Sequence, residues 1–177
     1  MIEILPAHQG HLLQAAAALF RDYAQEVAPL CGQSLAHQNI DVELAALPGK
    51  YAPPTGGIWL ARTASSAQDA QSRSFVGCVA IRPLQIPGQT SGHTCELKRM
   101  YVAPAARGRG VGVALCRAAI NFSASAGYSV IKLDTSASMH PAIALYRAAG
   151  FVPCERYNDD PMADTLWFEL QLGDTLH

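Results

Sequence analysis

The segment Arg107-Gly108-Arg109-Gly110-Val111-Gly112 joins a strand-like run, Thr94 to Val102, to a helix-like run, Gly110 to Ala126. No other stretch restricts the fold as much. Alternating glycines remove Cβ atoms where a ligand meets backbone. The helix start offers unpaired N–H groups and the positive end of a dipole, and two arginines add forked donors suited to phosphate. A plain turn with solvated arginines is the alternative, but such a turn needs no glycine and arginine together. Two nucleotide motifs fail at this junction. G-x-x-x-x-G-K-[ST] is absent, and G-x-G-x-x-G ends on Val113 when started at Gly108 and on Leu115 when started at Gly110. Asp134, at the end of the next strand, mimics the ribose-binding acid of a dinucleotide fold. That unit begins too late in the chain for a second nucleotide half to follow.

Periodicity orders the rest. Met1 to Leu5 reads as a short strand. His11 to Val27 reads as a helix with Leu12, Ala15, Ala16, Leu19 and Tyr23 on one face, stopped by Pro29. Asp41 to Leu47 is a second helix, capped by Asn39 or Asp41. Ile58 to Ala61 begins a strand, Ser65 to Ser74 is a hairpin tip, and the apolar run Phe75 to Ile81 is a central strand. Within Thr94 to Val102 the apolar phase changes. Cys95 and Leu97 are odd, whereas Met100 and Val102 are even, which predicts a β-bulge near Lys98-Arg99. Gly127 suits the C′ position of the helix that follows. Val130 to Leu133 is a strand, Pro141 to Ala149 a short helix, and Phe151 to Tyr157 and Thr165 to Leu172 are the last strands.

The 177 residues suit one domain, 1–177, and a hydrophobic share of 50% supplies a core. A formal net charge of −1 gives no general field for nucleic acid. Cys31, Cys78, Cys95, Cys116 and Cys154 are isolated, with no metal-site spacing. They read as reduced thiols of a cytoplasmic protein, Cys78 and Cys95 as buried small hydrophobes. No metal is expected. The N-terminus lacks a signal-peptide pattern, and no run approaches the ~18 apolar residues of a membrane span.

R-x-x-G-x-G, as Arg107-x-x-Gly110-x-Gly112, resembles the pyrophosphate-binding motif of the GNAT acetyltransferases. Glu96-Leu97-Lys98-Arg99-Met100-Tyr101-Val102 is similar to that family's fourth strand. Ala142 to Phe151, with Tyr146 four residues before Gly150-Phe151, resembles its second motif. The close match covers Glu96 to Phe151. It implies an α/β fold with a central, mostly antiparallel twisted sheet of about seven strands, flanked by helices and splayed between the fourth and fifth strands.

The resemblance also implies a chemistry, acetyl transfer from acetyl-CoA to an amine. Backbone groups of Met100, Tyr101 and Val102 would pair with the pantetheine arm, and Arg107, Gly108, Arg109, Gly110, Val111 and Gly112 would hold the pyrophosphate. Many relatives carry Asn seven residues before the motif tyrosine, where this sequence has Met139. Ser138 and His140 are the substitutes for that cofactor contact, with a helix-start role as the alternative. An alkylamine with a pKa of about 10 arrives protonated, so a base is needed. Glu96 is the expected base, and Tyr146 the expected acid for the leaving thiolate. The acceptor side is expected to use Tyr51, Asp134, Tyr157 and Asp159, with Asp159 and Asp160 attracting a cationic amine unless they form only a solvated turn. The expected acceptor is a small-molecule amine (an amino acid, polyamine or aminoglycoside), with the protein a monomer or homodimer. Protein N-termini or lysines are the variant, and a silent acyl-CoA-binding sensor is the alternative.

Overall fold

Alternating side chains let the strands join one continuous sheet with helices on both faces. A computed structural model describes residues 1–31, 40–63, 75–86, 93–160 and 163–173. The strands are β1 (Ile2–Pro6), β2 (Gly57–Thr63), β3 (Phe75–Pro83), β4 (Thr94–Val102), β5 (Val130–Ser136), β6 (Val152–Pro153) and β7 (Thr165–Gln171). The helices are α1 (Gly10–Cys31), α2 (described over residues 40–45), α3 (Val111–Ser125) and α4 (His140–Ala148). All seven strands join in the order β1-β2-β3-β4-β5-β7-β6. β4 and β5 pair parallel; every other neighbouring pair is antiparallel. This is the GNAT-like architecture that the sequence implies. No described helix is long and apolar enough to cross a membrane.

The two-residue period of the strands divides the core between two faces. Trp59, Val79, Ile81, Cys95, Leu97, Ile131 and Leu133 point toward α3 and α4, where Val111, Leu115, Ala119, Ile143 and Phe151 meet them. Ile58, Leu60, Cys78 and Ala80 point the other way, against Ala16, Leu19, Phe20 and Ala24 of α1 and Ile40 of α2. Cys78 and Cys95 are both fully buried, as expected.

Two elements depart from the sequence reading. Pro29 lies inside α1 rather than ending it. It falls in the last turn, where a missing N–H removes one intrahelical bond, and the buried Ala24 and Ala28 hold that turn down. The strand expected over Phe151 to Tyr157 is reduced to β6, two exposed residues paired only with β7. Pro153 cannot donate to a ladder. After Cys154 N–H bonds the Trp167 carbonyl at 3.0 Å, the chain leaves the sheet. The expected hairpin tip Ser65 to Ser74 and the candidate cap Asn39 lie outside the described residues.

Candidate active site

The glycine loop follows a 3-10 turn, Pro104–Ala106, and leads directly into α3. Its glycines serve different ends. Gly108 (φ +73°) and Gly110 (φ +81°) occupy the left-handed region, which L side chains enter at a cost. Gly112 instead permits packing, since a Cβ there would stand 3.3 Å from Leu145 of α4. Val111 sends its side chain into the core and leaves only backbone at the loop. The first-turn N–H groups of α3 have no intrahelical acceptor and face outward with the dipole. Arg107 donates from Nε to the Val102 carbonyl (2.9 Å) and from Nη2 to Glu26 of α1 (2.7 and 2.5 Å). Arg109 is exposed beside it.

The bulge predicted near Lys98-Arg99 is present. Cys78 pairs with Tyr101 and Ala80 with Lys98, so Arg99 and Met100 both stand opposite Val79. Arg99 takes φ +57°, and its carbonyl accepts the Cys78 thiol at 3.3 Å. The extra residue brings Lys98 and Arg99 to the same face of the sheet, while Leu97 and Met100 pack on the other.

β4 and β5 pair only through Thr94–Val130, Cys95–Ile131 and Glu96–Lys132. Beyond that point the strands part, and a side-chain bridge spans the gap. Lys98 Nζ lies 3.0 Å from Asp134 Oδ1. A narrow slot of about 20 Å³ opens here, lined by Tyr23, Met100, Asp134, Thr135, Met139 and Tyr146, together with Leu97, Lys98 and Arg99. Burial holds the Tyr146 phenol well above its usual pKa, and it stays protonated at neutral pH. Burial also works to raise the Asp134 carboxyl, but Lys98 and a hydrogen bond from Asn158 (2.6 Å) outweigh it and keep Asp134 ionised.

A larger cavity of about 550 Å³ adjoins the slot and shares Lys98 and Arg99 with it. Its polar wall is Glu43, Lys50, Tyr51, Arg82, Lys98 and Arg99; Val42, Ala46, Leu47 and Pro48 give an apolar side. Glu43 accepts from Arg99 Nε (2.7 Å), Arg99 Nη2 (3.1 Å) and Tyr51 OH (3.1 Å), and pairs with Lys50 Nζ at 2.6 Å. Burial opposes its charge, yet these partners hold its pKa at about 2. Lys50 is lowered, first by burial. Its pair with Glu43 does not offset that loss, because Arg82 and Arg99 repel it as well.

Glu96, 0% exposed, lies behind both cavities. Its Oε2 receives Arg82 Nε (2.7 Å) and Nη2 (2.6 Å), while Oε1 receives Tyr157 OH (3.0 Å) and lies 3.5 Å from Lys98 Nζ. The segment after Cys154 crosses the open face of β5 and β7. Trp167 Nε1 donates to Asn158 Oδ1 at 2.8 Å, and Arg156 lies over the Trp167 ring.

The fold thus brings Asp134, Tyr51, Met100 and Tyr146 to the walls of the slot and cavity, and ties Glu96 and Tyr157 to those walls through Arg82 and Lys98. Tyr101 turns toward α1, and Val102 offers its carbonyl to Arg107. Ser138 bonds to Ser136, and exposed His140 is the first residue of α4; neither lines the slot or the cavity. Asp159 is exposed and lines neither cavity; Asp160 accepts from Thr165 at the start of β7. Sequence reasoning missed Tyr23, Glu43, Lys50, Arg82 and Met139 as site residues. Arg82 carried one signal, its even phase with Cys78 and Ala80 on β3. Glu43 and Lys50 carried none, because only tertiary packing brings α2 to β4.

Comparison with known proteins gives a consistent result. The profile of the Acetyltransferase (GNAT) family matches residues 35–151. An uncharacterised N-acetyltransferase of Schizosaccharomyces pombe is 36% identical over 155 residues, covering 88% of this chain and 85% of its own. Several mammalian N-acetyltransferases of family 8 align over about half of their own length. Among solved structures, a GNAT-family acetyltransferase of Staphylococcus aureus superposes with a TM-score of 0.72 at 15% identity, covering 97% of this chain and 99% of its own. A putative acetyltransferase of Salmonella typhimurium, solved with acetyl-CoA, gives 0.68 at 16% identity over 99% and 96%. At such identities the likeness shows the fold alone.

Proposed function

The chain belongs to the GNAT acetyltransferase family, and on that footing we propose that it acts as one N-acetyltransferase domain, in the cytoplasm, moving an acetyl group from acetyl-CoA to a primary amine of a small molecule by direct attack in a ternary complex. One observation carries the reading: the slot where β4 and β5 part holds an ionised carboxylate, Asp134, and a protonated phenol, Tyr146, on its wall.

The residues fit the co-substrate. A Cβ on Gly108 would meet nothing within 4 Å, so the loop is open on the side where a diphosphate would meet the first-turn amides of α3. Arg107 and Arg109 supply charge, and Arg107 exchanges Glu26 for phosphate. The parted edge of β4 at Met100 to Val102 offers backbone groups to an extended arm. When bound, acetyl-CoA supplies an activated thioester. Asp134 takes the ammonium proton of the acceptor through water, freeing the nitrogen lone pair. As the C–N bond forms and the C–S bond breaks, Tyr146 gives its proton to the sulfur, and the second proton on the nitrogen passes through water to restore the phenol. Glu96 is fully buried and lines neither the slot nor the cavity, so it acts here as a positioning residue that fixes Arg82, Lys98 and Tyr157; the base role expected of it passes to Asp134, which lines the slot.

The test is acetyl-CoA turnover across an amine panel, with pH–rate series for Asp134→Asn and Glu96→Gln. Asp134→Asn is expected to lose roughly 10–100-fold at neutral pH. It recovers in part as pH rises and more acceptor is already neutral. Glu96→Gln slows the reaction without moving the acid limb. A shifted limb in Glu96→Gln alone returns the base role to Glu96, and no turnover of any amine refutes the transferase reading.

A further inference from the structure

We infer that the acceptor is a primary amine that also carries a carboxylate, bound in the cavity between α2 and the β3–β4 pair by Arg82 and Lys50, with Arg99 at its edge. This specificity rests on the transferase reading above and names its substrate class.

The cavity wall is unbalanced in charge. Lys50, Arg82, Lys98 and Arg99 line it, with Glu43 as its one carboxylate among the described residues. The acids within reach are already engaged. Glu43 serves Arg99, Lys50 and Tyr51; Glu96 serves Arg82, Lys98 and Tyr157; Asp134 serves Lys98 and Asn158. Counting Glu96 and Asp134 behind the wall, the four cations still exceed the three carboxylates by one. The cations nearest solvent are Lys50 and Arg82, whose side chains keep 40% and 30% of their surface exposed. They belong to different elements and converge on one opening, and Arg82 and Arg99 each disfavour the charge on Lys50. One bound carboxylate relieves all three.

The position matches the chemistry. Lys98 and Arg99 line both the cavity and the slot, so a molecule anchored in the cavity presents its amine across the bulge toward Asp134. Val42, Ala46, Leu47 and Pro48 provide an apolar wall for the rest of the molecule. A polyamine or aminoglycoside would bring further positive charge to this wall, and Asp159 lies elsewhere on the surface. The polycationic acceptors in the expected class are therefore set aside in favour of amino acids.

The experiment compares leucine, glutamate and lysine with their α-carboxamides at saturating acetyl-CoA. The free acid is expected to be favoured by about tenfold or more in kcat/KM, mainly through KM. Lys50→Gln and Arg82→Gln should each shrink that ratio to within about threefold while CoA affinity stays unchanged. Arg82→Gln strips a partner from buried Glu96, so Lys50→Gln at the rim is the safer of the two. Calorimetry of N-acetylleucine against N-acetylleucinamide, with CoA present, reads carboxylate recognition without turnover. Equal treatment of acid and amide in both measurements overturns the inference, as does a preference for the amide. If no amine is acetylated but N-acetylleucine binds better and Lys50→Gln abolishes the difference, the carboxylate site stands and the transferase reading falls.

Discussion

Glu43 shows how one side chain sets a pH limit. Its folded pKa of about 2 lies below the ordinary 4.5. A group depressed in this way stabilises the fold above its unfolded pKa, and the contribution drains away as pH falls from about 4.5 toward 2. Discounted for solvent screening, the full effect is roughly 2–3 kcal/mol. Glu43→Gln should therefore lower stability at pH 7 and flatten its decline on acidification, as read by urea unfolding at pH 7, 5 and 3. Parallel acid limbs in the two proteins would show that Glu43 contributes nothing there. Tyr146 makes a second residue-scale case. Its ring packs against Phe151 at 5.8 Å between centroids, and the residue lines the slot. Tyr146→Phe keeps the packing and removes the proton, so kcat should drop roughly 10–100-fold with acetyl-CoA affinity little changed. A wild-type rate under chemistry-limited conditions would leave Tyr146 a packing residue only. The two residues differ in how legible they were. Tyr146 stands four positions before Gly150-Phe151 on one short helix, and that spacing is visible in the chain. Glu43 meets Arg99 across 56 positions, a meeting that no local pattern encodes.

The phase change in Thr94 to Val102 foretold a bulge because a strand has a two-residue period, and one inserted residue must invert it. The same rule could not foretell how β6 ends. Its residues are exposed on an outer edge, so no buried face constrains their alternation. The start of α3 depends on backbone shape more than on side-chain contact. At Gly110 a Cβ would have only Ile2 nearby, at 3.8 Å, yet φ is +81°. Gly110→Ala should then cost about 1 kcal/mol through conformation alone and turn the first-turn amides away from the diphosphate. CoA affinity should fall about tenfold or more. Gly112→Ala, which has no positive φ and only Leu145 to displace, is the control and should bind nearly as wild type. Equal affinities in the two variants would remove the loop's special shape from the account of binding.

At the scale of the molecule, the sheet separates two tasks. The face toward α3 and α4 is predominantly apolar, whereas the face toward α1, α2 and the 154–160 segment holds the charged network. The core and the order of the strands were legible because apolar periodicity writes them locally. The cavity was not, because its charges come from α2, β3 and β4 and only the finished fold assembles them. A ligand that prefers the folded state stabilises it, by about 2.7 kcal/mol at a hundred times Kd. CoA should therefore raise the melting temperature, and ATP or NAD at the same concentration should not; an equal shift with all three would point to a general nucleotide site. The partial pairing of β4 with β5 sets where that stabilisation acts. Three residue pairs hold the two halves of the sheet together, and the Lys98–Asp134 bridge is the next tie. Beyond this seam the facing edges of β4 and β5 have no ladder partner across the gap. In the free protein, amides on the facing edges of residues 97–102 and 133–136 should exchange with deuterium faster than those of β2 and β3. When a bound arm fills the gap it closes the sheet as an eighth strand would, and the same amides should become slow to exchange on both sides of the seam at once.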